Sequence, residues 1–181
     1  MNIEKKYDII YMDPPWNYGI VMKPNDGRPV GDPNEYPKMT IAELKEMDIK
    51  SLANKDCLIY MWVTNAFLQQ GIELANHWGW DYSTVAFNWF KHASLPGFYT
   101  MQQTEICLVF KRKGGKIPQP RGTRNTKQFL SERRREASRK PDEIRRRIEE
   151  MHPAQSKLEM FARTAPEGWD VWGNETNKFT Q

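Results

Sequence analysis

The chain has 181 residues, 39% hydrophobic and 28% charged, with a formal net charge of +4, enough for a single domain over residues 1–181 with a real core and too little for a second catalytic or target-recognition domain. No apolar run is long enough to cross a bilayer, and Glu4, Lys5 and Lys6 stand where a signal peptide needs an apolar stretch, so a soluble, cytoplasmic protein with no membrane partner is expected. Two cysteines inside apolar runs and three histidines without ligand spacing exclude a disulfide scaffold and a zinc site, and no metal is predicted.

In chain order, residues 9–12 are apolar without alternation, the pattern of a parallel strand covered on both faces. The strand must stop at Asp13-Pro14-Pro15, because paired prolines cannot continue a ladder; Trp16 follows. Residues 17–39 carry four prolines and three glycines without periodicity, which predicts a lid or binding loop, with Asn17, Tyr18 and Tyr36 as candidate substrate contacts. Thr40-Ile41-Ala42-Glu43 is a capping box, and Ile41, Leu44 and Met47 form the stripe of the helix it starts.

Residues 56–63 read as a second buried strand. Asn65 is the expected cap of a helix with Leu68, Ile72, Ala75 and Trp78 on one side, stopping at Gly79. Strands are predicted over 80–90 and 105–111, around a loop at Pro96-Gly97, with Lys91 at the edge either meeting substrate phosphate or solvated. A weaker strand follows over 128–133, and Pro141 opens a helix reaching Met151, with Ile144, Ile148 and Met151 inward and Arg145, Arg146 and Arg147 mostly outward. Residues 157–162 and 169–172 complete about seven strands in an α/β arrangement.

The small net charge hides an asymmetry. Residues 111–147 hold 15 Lys and Arg against 4 Asp and Glu, whereas the remainder holds 12 against 19. A concentration spanning a loop, a strand and a helix start predicts one basic face built for a polyanion, with Arg121, Arg124, Arg133, Arg134 and Arg135 as candidate phosphate contacts.

Asp13 closes a buried strand at its carboxyl end, where open α/β sheets place their ligands. Taken alone, Asp-Pro-Pro is equally a strand-ending turn. With Trp16 it suits the methylation of an exocyclic amine on a flat base, whose lone pair is delocalised into the ring. The Asp13 carboxylate and the Pro14 carbonyl can accept both amine hydrogens and turn that lone pair toward a methyl donor. Trp16 offers a face for stacking an extruded base, a contact worth roughly 1–3 kcal/mol.

Asp13-Pro14-Pro15-Trp16 resembles the motif of the amino-methyltransferases related to the seventy-kilodalton subunit of messenger-RNA adenosine methyltransferase. The similarity continues in order through residues 58–64, 105–109, 139–144, 157–163 and 168–175. The resemblance implies a seven-stranded Rossmann-like methyltransferase sheet of the short bacterial or phage type, with the catalytic motif before the cofactor motif. It implies S-adenosylmethionine as cofactor, held by Asp13, Lys140 at the carboxylate, Phe161 and Arg163 at the pocket floor, and Asn174 and Glu175 at the ribose. It also implies N6-methylation of adenine in nucleic acid by a homodimer, DNA first, the alternatives being an RNA adenosine methyltransferase or a catalytically silent nucleic-acid-binding partner of an active methyltransferase. One departure stands out: Phe161-Ala162-Arg163 has no glycine where most Rossmann-like methyltransferases have a glycine-rich turn.

Overall fold

Ile10 and Met12 of strand β1 (Tyr7–Met12) point into one apolar layer, while Ile9 and Tyr11 point into the other, and this two-sided burial puts β1 in the sheet interior. The computed structural model describes residues 5–17, 37–97, 99–135 and 139–173. β1 runs parallel to β2 (Ala53–Val63) on one side and to β6 (Lys157–Met160) on the other. Next to β2 lies β4 (Gln102–Arg112), antiparallel to it, followed by β3 (Trp80–Leu95) and β5 (Phe129–Ser131); β7 (Asp170–Trp172) closes the other edge. The order is β5-β3-β4-β2-β1-β6-β7, and among the described strands only β4 opposes β1.

β2 alternates as β1 does. Cys57, Ile59, Met61 and Val63 face the layer covered by Leu44 of α1 (Ile41–Lys45) and by Leu74, Ala75 and Trp78 of α2 (Leu68–Trp78). Leu58, Tyr60 and Trp62 face the layer covered by Ile144 and Ile148 of α3 (Asp142–Met151). Both cysteines are buried free thiols, as expected. Four buried tryptophans satisfy their indole N–H groups inside this frame: Trp62 donates to the Tyr11 hydroxyl, Trp78 to the Leu44 carbonyl, Trp80 to the Cys57 carbonyl and Trp89 to the Glu132 carbonyl.

The capping box at Thr40 forms: Glu43 N–H donates to Thr40 Oγ1 at 3.2 Å, and Thr40 N–H to Glu43 Oε2 at 2.7 Å. Gly79 ends α2 at φ 97°, a conformation glycine adopts without a Cβ clash. Asn65 does not cap α2. Residues Asn65–Phe67 form a 3₁₀ turn that buries Phe67, which rotates the inward stripe to Gly71, Leu74, Ala75 and Trp78 and leaves Leu68 exposed.

In α3 the arginines are less solvated than their spacing predicts. Arg145 binds Glu159 and Asp142, and Arg147 binds Glu143 and the Lys127 and Phe129 carbonyls, because the chain around β5 lies along that side of the helix. Arg146 is the exposed one, paired with Glu143 and Glu150. No described helix is long and apolar enough to cross a membrane.

Strand direction decides where the basic segment goes. Because β4 opposes β1, Lys111 and Arg112 lie at the sheet edge opposite Asp13, and Lys113 follows them there. Arg121 and Arg124 stay near that edge, since Gly122 and Thr123 N–H donate to the Met151 and Glu150 carbonyls at the end of α3. Among the described residues of this segment, those that follow β5 return to the Asp13 edge. The single basic face expected from composition is therefore divided between the two ends of the sheet.

Candidate active site

β1 connects to β2 through the α1 side of the sheet, whereas β6 is entered from α3 on the opposite side. The carboxyl end of β1 is thus where the winding reverses, and a crevice opens there. It is a cleft of about 1090 Å³, counted to its open mouth, lined among others by Tyr11, Asp13, Pro14, Trp16, Trp62, Glu105 and Lys140.

Asp13-Pro14-Pro15-Trp16 forms a tight turn, in which Trp16 N–H donates to the Pro14 carbonyl at 2.8 Å across Pro15. Met39 N–H donates to the Pro15 carbonyl at 2.8 Å and binds the returning chain to this turn. Trp16 lines the cleft but is only 3% exposed; its indole N–H donates to the Trp62 carbonyl and its ring packs on Phe67, 5.5 Å between centroids. Trp16 therefore anchors the turn from below rather than offering an open ring. The Pro14 carbonyl, already an acceptor for Trp16, keeps its second lone pair.

Asp13 belongs to a chain of alternating charges. Lys140 Nζ lies 2.8 Å from Asp13 Oδ2 and 3.1 Å from Glu105 Oε2, and Lys91 Nζ lies 3.1 Å from Glu105 Oε1. Burial alone would lower Lys140, but the two carboxylates overcome it and hold its proton affinity well above the ordinary lysine value. Burial likewise opposes ionisation of Glu105, yet Lys140 and Lys91 bring it below the ordinary carboxylate range. Asp13 goes the other way: although 37% of its side chain is open to the cleft, loss of water raises it above the usual value against the pull of Lys140.

The opposite wall is built on the start of α3. Asp142 accepts from Arg135 and Arg139 on one oxygen and from Arg145 on the other, and Arg145 also reaches Glu159 and Thr164. Beyond β6 the chain turns at Phe161, whose φ is 59°, a left-handed conformation uncommon for a bulky side chain. This is the missing glycine's turn, made without glycine. Phe161 packs edge-on to Trp172 at 5.3 Å, Ala162 N–H donates to the Trp172 carbonyl, and a Cβ on Gly173 would come within 2.5 Å of the Ala162 carbonyl oxygen. The turn is thus wedged against the end of β7, which supports the strain.

Asp13, Pro14, Pro15, Trp16, Lys140, Phe161 and Arg163 all line the cleft. Asn17 follows directly, half-buried. Tyr18, Tyr36, Asn174 and Glu175 lie outside the described residues. Lys91 is neither solvated nor turned to a phosphate: it is 3% exposed beneath Glu105, because its position in β3 points inward next to β4. Arg121 and Arg124 are exposed but away from the cleft, and Arg133 and Arg134 are exposed just after β5. Arg135 is committed to Asp142 and the Lys140 carbonyl, so it braces the wall. Glu105 and Glu159 also belong to the site, and the sequence carries a signal for both: Glu105 directly precedes the apolar run Ile106–Phe110 of β4, and Glu159 stands between Leu158 and Met160 of β6, where only a paired charge is tolerated.

The MT-A70 family model matches residues 7–175 of this chain. The type II methyltransferase M.MunI of a Mycoplasma species is 42% identical over 94% of the chain and 78% of its own length. The N(6)-adenosine-methyltransferase MT-A70-like protein of Arabidopsis thaliana is 30% identical over 98% of the chain, and the N(6)-adenine-specific methyltransferase METTL4 of Mus musculus is 28% identical over 99%. The chain spans 25% and 39% of the length of those two.

Proposed function

The chain belongs to the MT-A70 family, and from that premise we propose that it methylates the N6 amine of adenine in DNA through the Asp13 turn. It is an S-adenosylmethionine-dependent adenine-N6 methyltransferase. The observation that carries the proposed site is the Asp13 carboxylate at the carboxyl end of β1, held by Lys140 beside a proline carbonyl in the cleft.

The donor set of the cleft fits the cofactor, which brings one carboxylate, two positive centres and a ribose. Lys140 would take the carboxylate, Asp13 the ammonium, and the Phe161 turn with Arg163 the nucleoside side, with Asn174 and Glu175 as candidates for the ribose. Bound there, S-adenosylmethionine supplies an electrophilic methyl group. Asp13 and the second lone pair of the Pro14 carbonyl accept the two amine hydrogens and turn the nitrogen lone pair out of the ring plane. As the nitrogen becomes positive, the Asp13 carboxylate stabilises that charge, and its raised proton affinity suits it to take the proton released.

DNA is favoured over RNA by the mycoplasma relative, named a type II methyltransferase and covered over most of its length. The same reading includes cytoplasmic work and a homodimer, because one cleft with basic residues at both ends of a small domain has little surface for gripping a long polyanion. Nucleoside mass spectrometry of DNA and RNA oligonucleotides of one sequence, incubated with labelled cofactor, tests the reaction: N6-methyladenine in DNA supports it, and label in RNA alone overturns the choice of DNA. Light scattering tests the dimer, and a mass near 21.4 kDa with and without oligonucleotide removes it.

A further inference from the structure

β3 and β4 continue as a pair well past the cleft. Glu105, in the cleft wall, stands opposite Trp89; the ladder runs on through Phe90–Thr104 to Leu95–Gln102 before the chain turns. At about 3.3 Å per residue, the six steps from Glu105 to Tyr99 carry the tip up to roughly 20 Å beyond the cleft wall. β3 runs in the direction of β1, so the tip projects from the edge that carries Asp13, two strands away from it.

The tip is apolar and open. Tyr99 is 100% exposed, Met101 54% and Leu95 39%. Solvated hairpin turns are normally built from small polar residues, and large apolar side chains gathered on one tip mark a contact surface. The base of the same hairpin is basic. Arg133 and Arg134 are exposed where the chain leaves β5, and Arg134 N–H donates to the Lys91 carbonyl at 3.0 Å, which fixes this run beside β3.

We propose that the β3–β4 tip is a wedge that enters the DNA duplex, Tyr99 and Met101 filling the space left in the stack when the target adenine turns out into the cleft. The inference rests on the reading of the chain as a DNA adenine methyltransferase. The Asp13 turn is walled by Trp16, Trp62 and Pro15, so a stacked base must leave the helix to reach it, at a cost of a few kcal/mol. Apolar side chains inserted at the vacated step offset part of that cost, and Arg133 and Arg134 supply phosphate contacts alongside. A second copy of the chain fits the tip less well: a projecting turn with three apolar side chains falls short of the roughly 800 Å² per partner of a stable interface.

The test uses the double variant Tyr99→Ser, Met101→Ser, and methyl transfer from labelled S-adenosylmethionine to a circular single-stranded DNA and to its double-stranded form. Both side chains are exposed, so thermal melting should match wild type. The expected result is a fall in kcat/KM of about tenfold or more on the double-stranded form, with the single-stranded rate within about twofold of wild type. Tyr99→Trp, which keeps a flat apolar side chain, should retain the duplex rate. An equal loss on both DNAs, or no loss on either, overturns the wedge. So does a wild-type dimer that the double variant converts to monomer, because the tip then serves a second copy. A wild-type protein that methylates neither DNA refutes the underlying DNA reading instead, so the two failures are distinguishable.

Discussion

Lys140 Nζ lies 2.8 Å from Asp13 Oδ2, so the residue before the α3 cap neutralises the residue that follows β1. The pair holds a carboxylate in the cleft where loss of water alone would favour its protonation.

Asp13→Asn keeps an acceptor for the target amine but removes the charge. Turnover should fall about 100- to 1000-fold, the usual loss when one preorganised electrostatic group leaves a transition state. Stability should change little, since Lys140 keeps Glu105. Single-turnover kinetics beside a thermal melt check both halves. A variant that keeps more than a few per cent of the wild-type rate removes Asp13 from the chemistry.

Glu105→Ala should destabilise the fold more than Lys91→Met. The first leaves a nearly fully buried Lys91 without its carboxylate, a loss of about 3–5 kcal/mol; the second leaves Glu105 still paired with Lys140. Glu105 is held below its ordinary range, so its contribution is present above the usual carboxylate values and is lost as pH falls through its folded value. Lys140 is raised, so its contribution is full below the usual lysine value and is lost only at strongly alkaline pH. Urea unfolding of the two variants across pH gives the order; equal losses contradict the chain of charges.

His152 provides an acid-sensitive point far from the cleft. It is 2% exposed, shares a 2.8 Å hydrogen bond with the Tyr60 hydroxyl, and burial, with Lys157 and Arg121 adding to it, lowers it from 6.5 to about 4. The unfolded chain therefore takes up a proton first. The stability that His152 confers is present above pH 6.5 and is lost as pH falls toward 4, by roughly 3 kcal/mol at about 1.4 kcal/mol per unit. His152→Gln, which can still bond Tyr60, should flatten this part of the stability profile in urea titrations between pH 7.5 and 4.5; an unchanged slope assigns the acid sensitivity to other groups.

Replacing Arg133 and Arg134 by Gln should weaken binding to unrelated duplexes alike and make the log–log salt slope shallower by roughly 0.9 per lost phosphate contact. Arg135 is left in place, because its loss would loosen the Asp142 wall. Fluorescence anisotropy at several salt concentrations measures the slope. No change would mean that the two arginines are merely solvated.

The parts of this protein legible in its sequence are those carried by contiguous residues. The unbroken apolar run of β1, the Thr40-Glu43 box, Gly79 after α2 and Pro141 before α3 each act through the backbone within a few residues, so each element emerged close to its expected place. Asn65 failed as a cap because burial of Phe67, a contact with Trp16 half a hundred residues earlier, set the entry of α2 instead.

The sequence alone determined that a carboxylate and two prolines would end a buried strand at the ligand edge of an α/β sheet, because apolar patterning and proline stereochemistry are local. Tertiary structure alone decided which charges that carboxylate meets. Asp13, Glu105 and Lys140 come from the turn after β1, from β4 and from the lead-in to α3, and nothing in any one segment encodes their distances. It also decided the fate of the basic segment, since the reversal of β4 sends Lys111 and Arg112 to one edge and the turn back through β5 brings Arg133 and Arg134 to the other. Buried charges must find partners and strands must find neighbours wherever packing brings them, and both are settled by burial across the whole chain rather than by spacing along it.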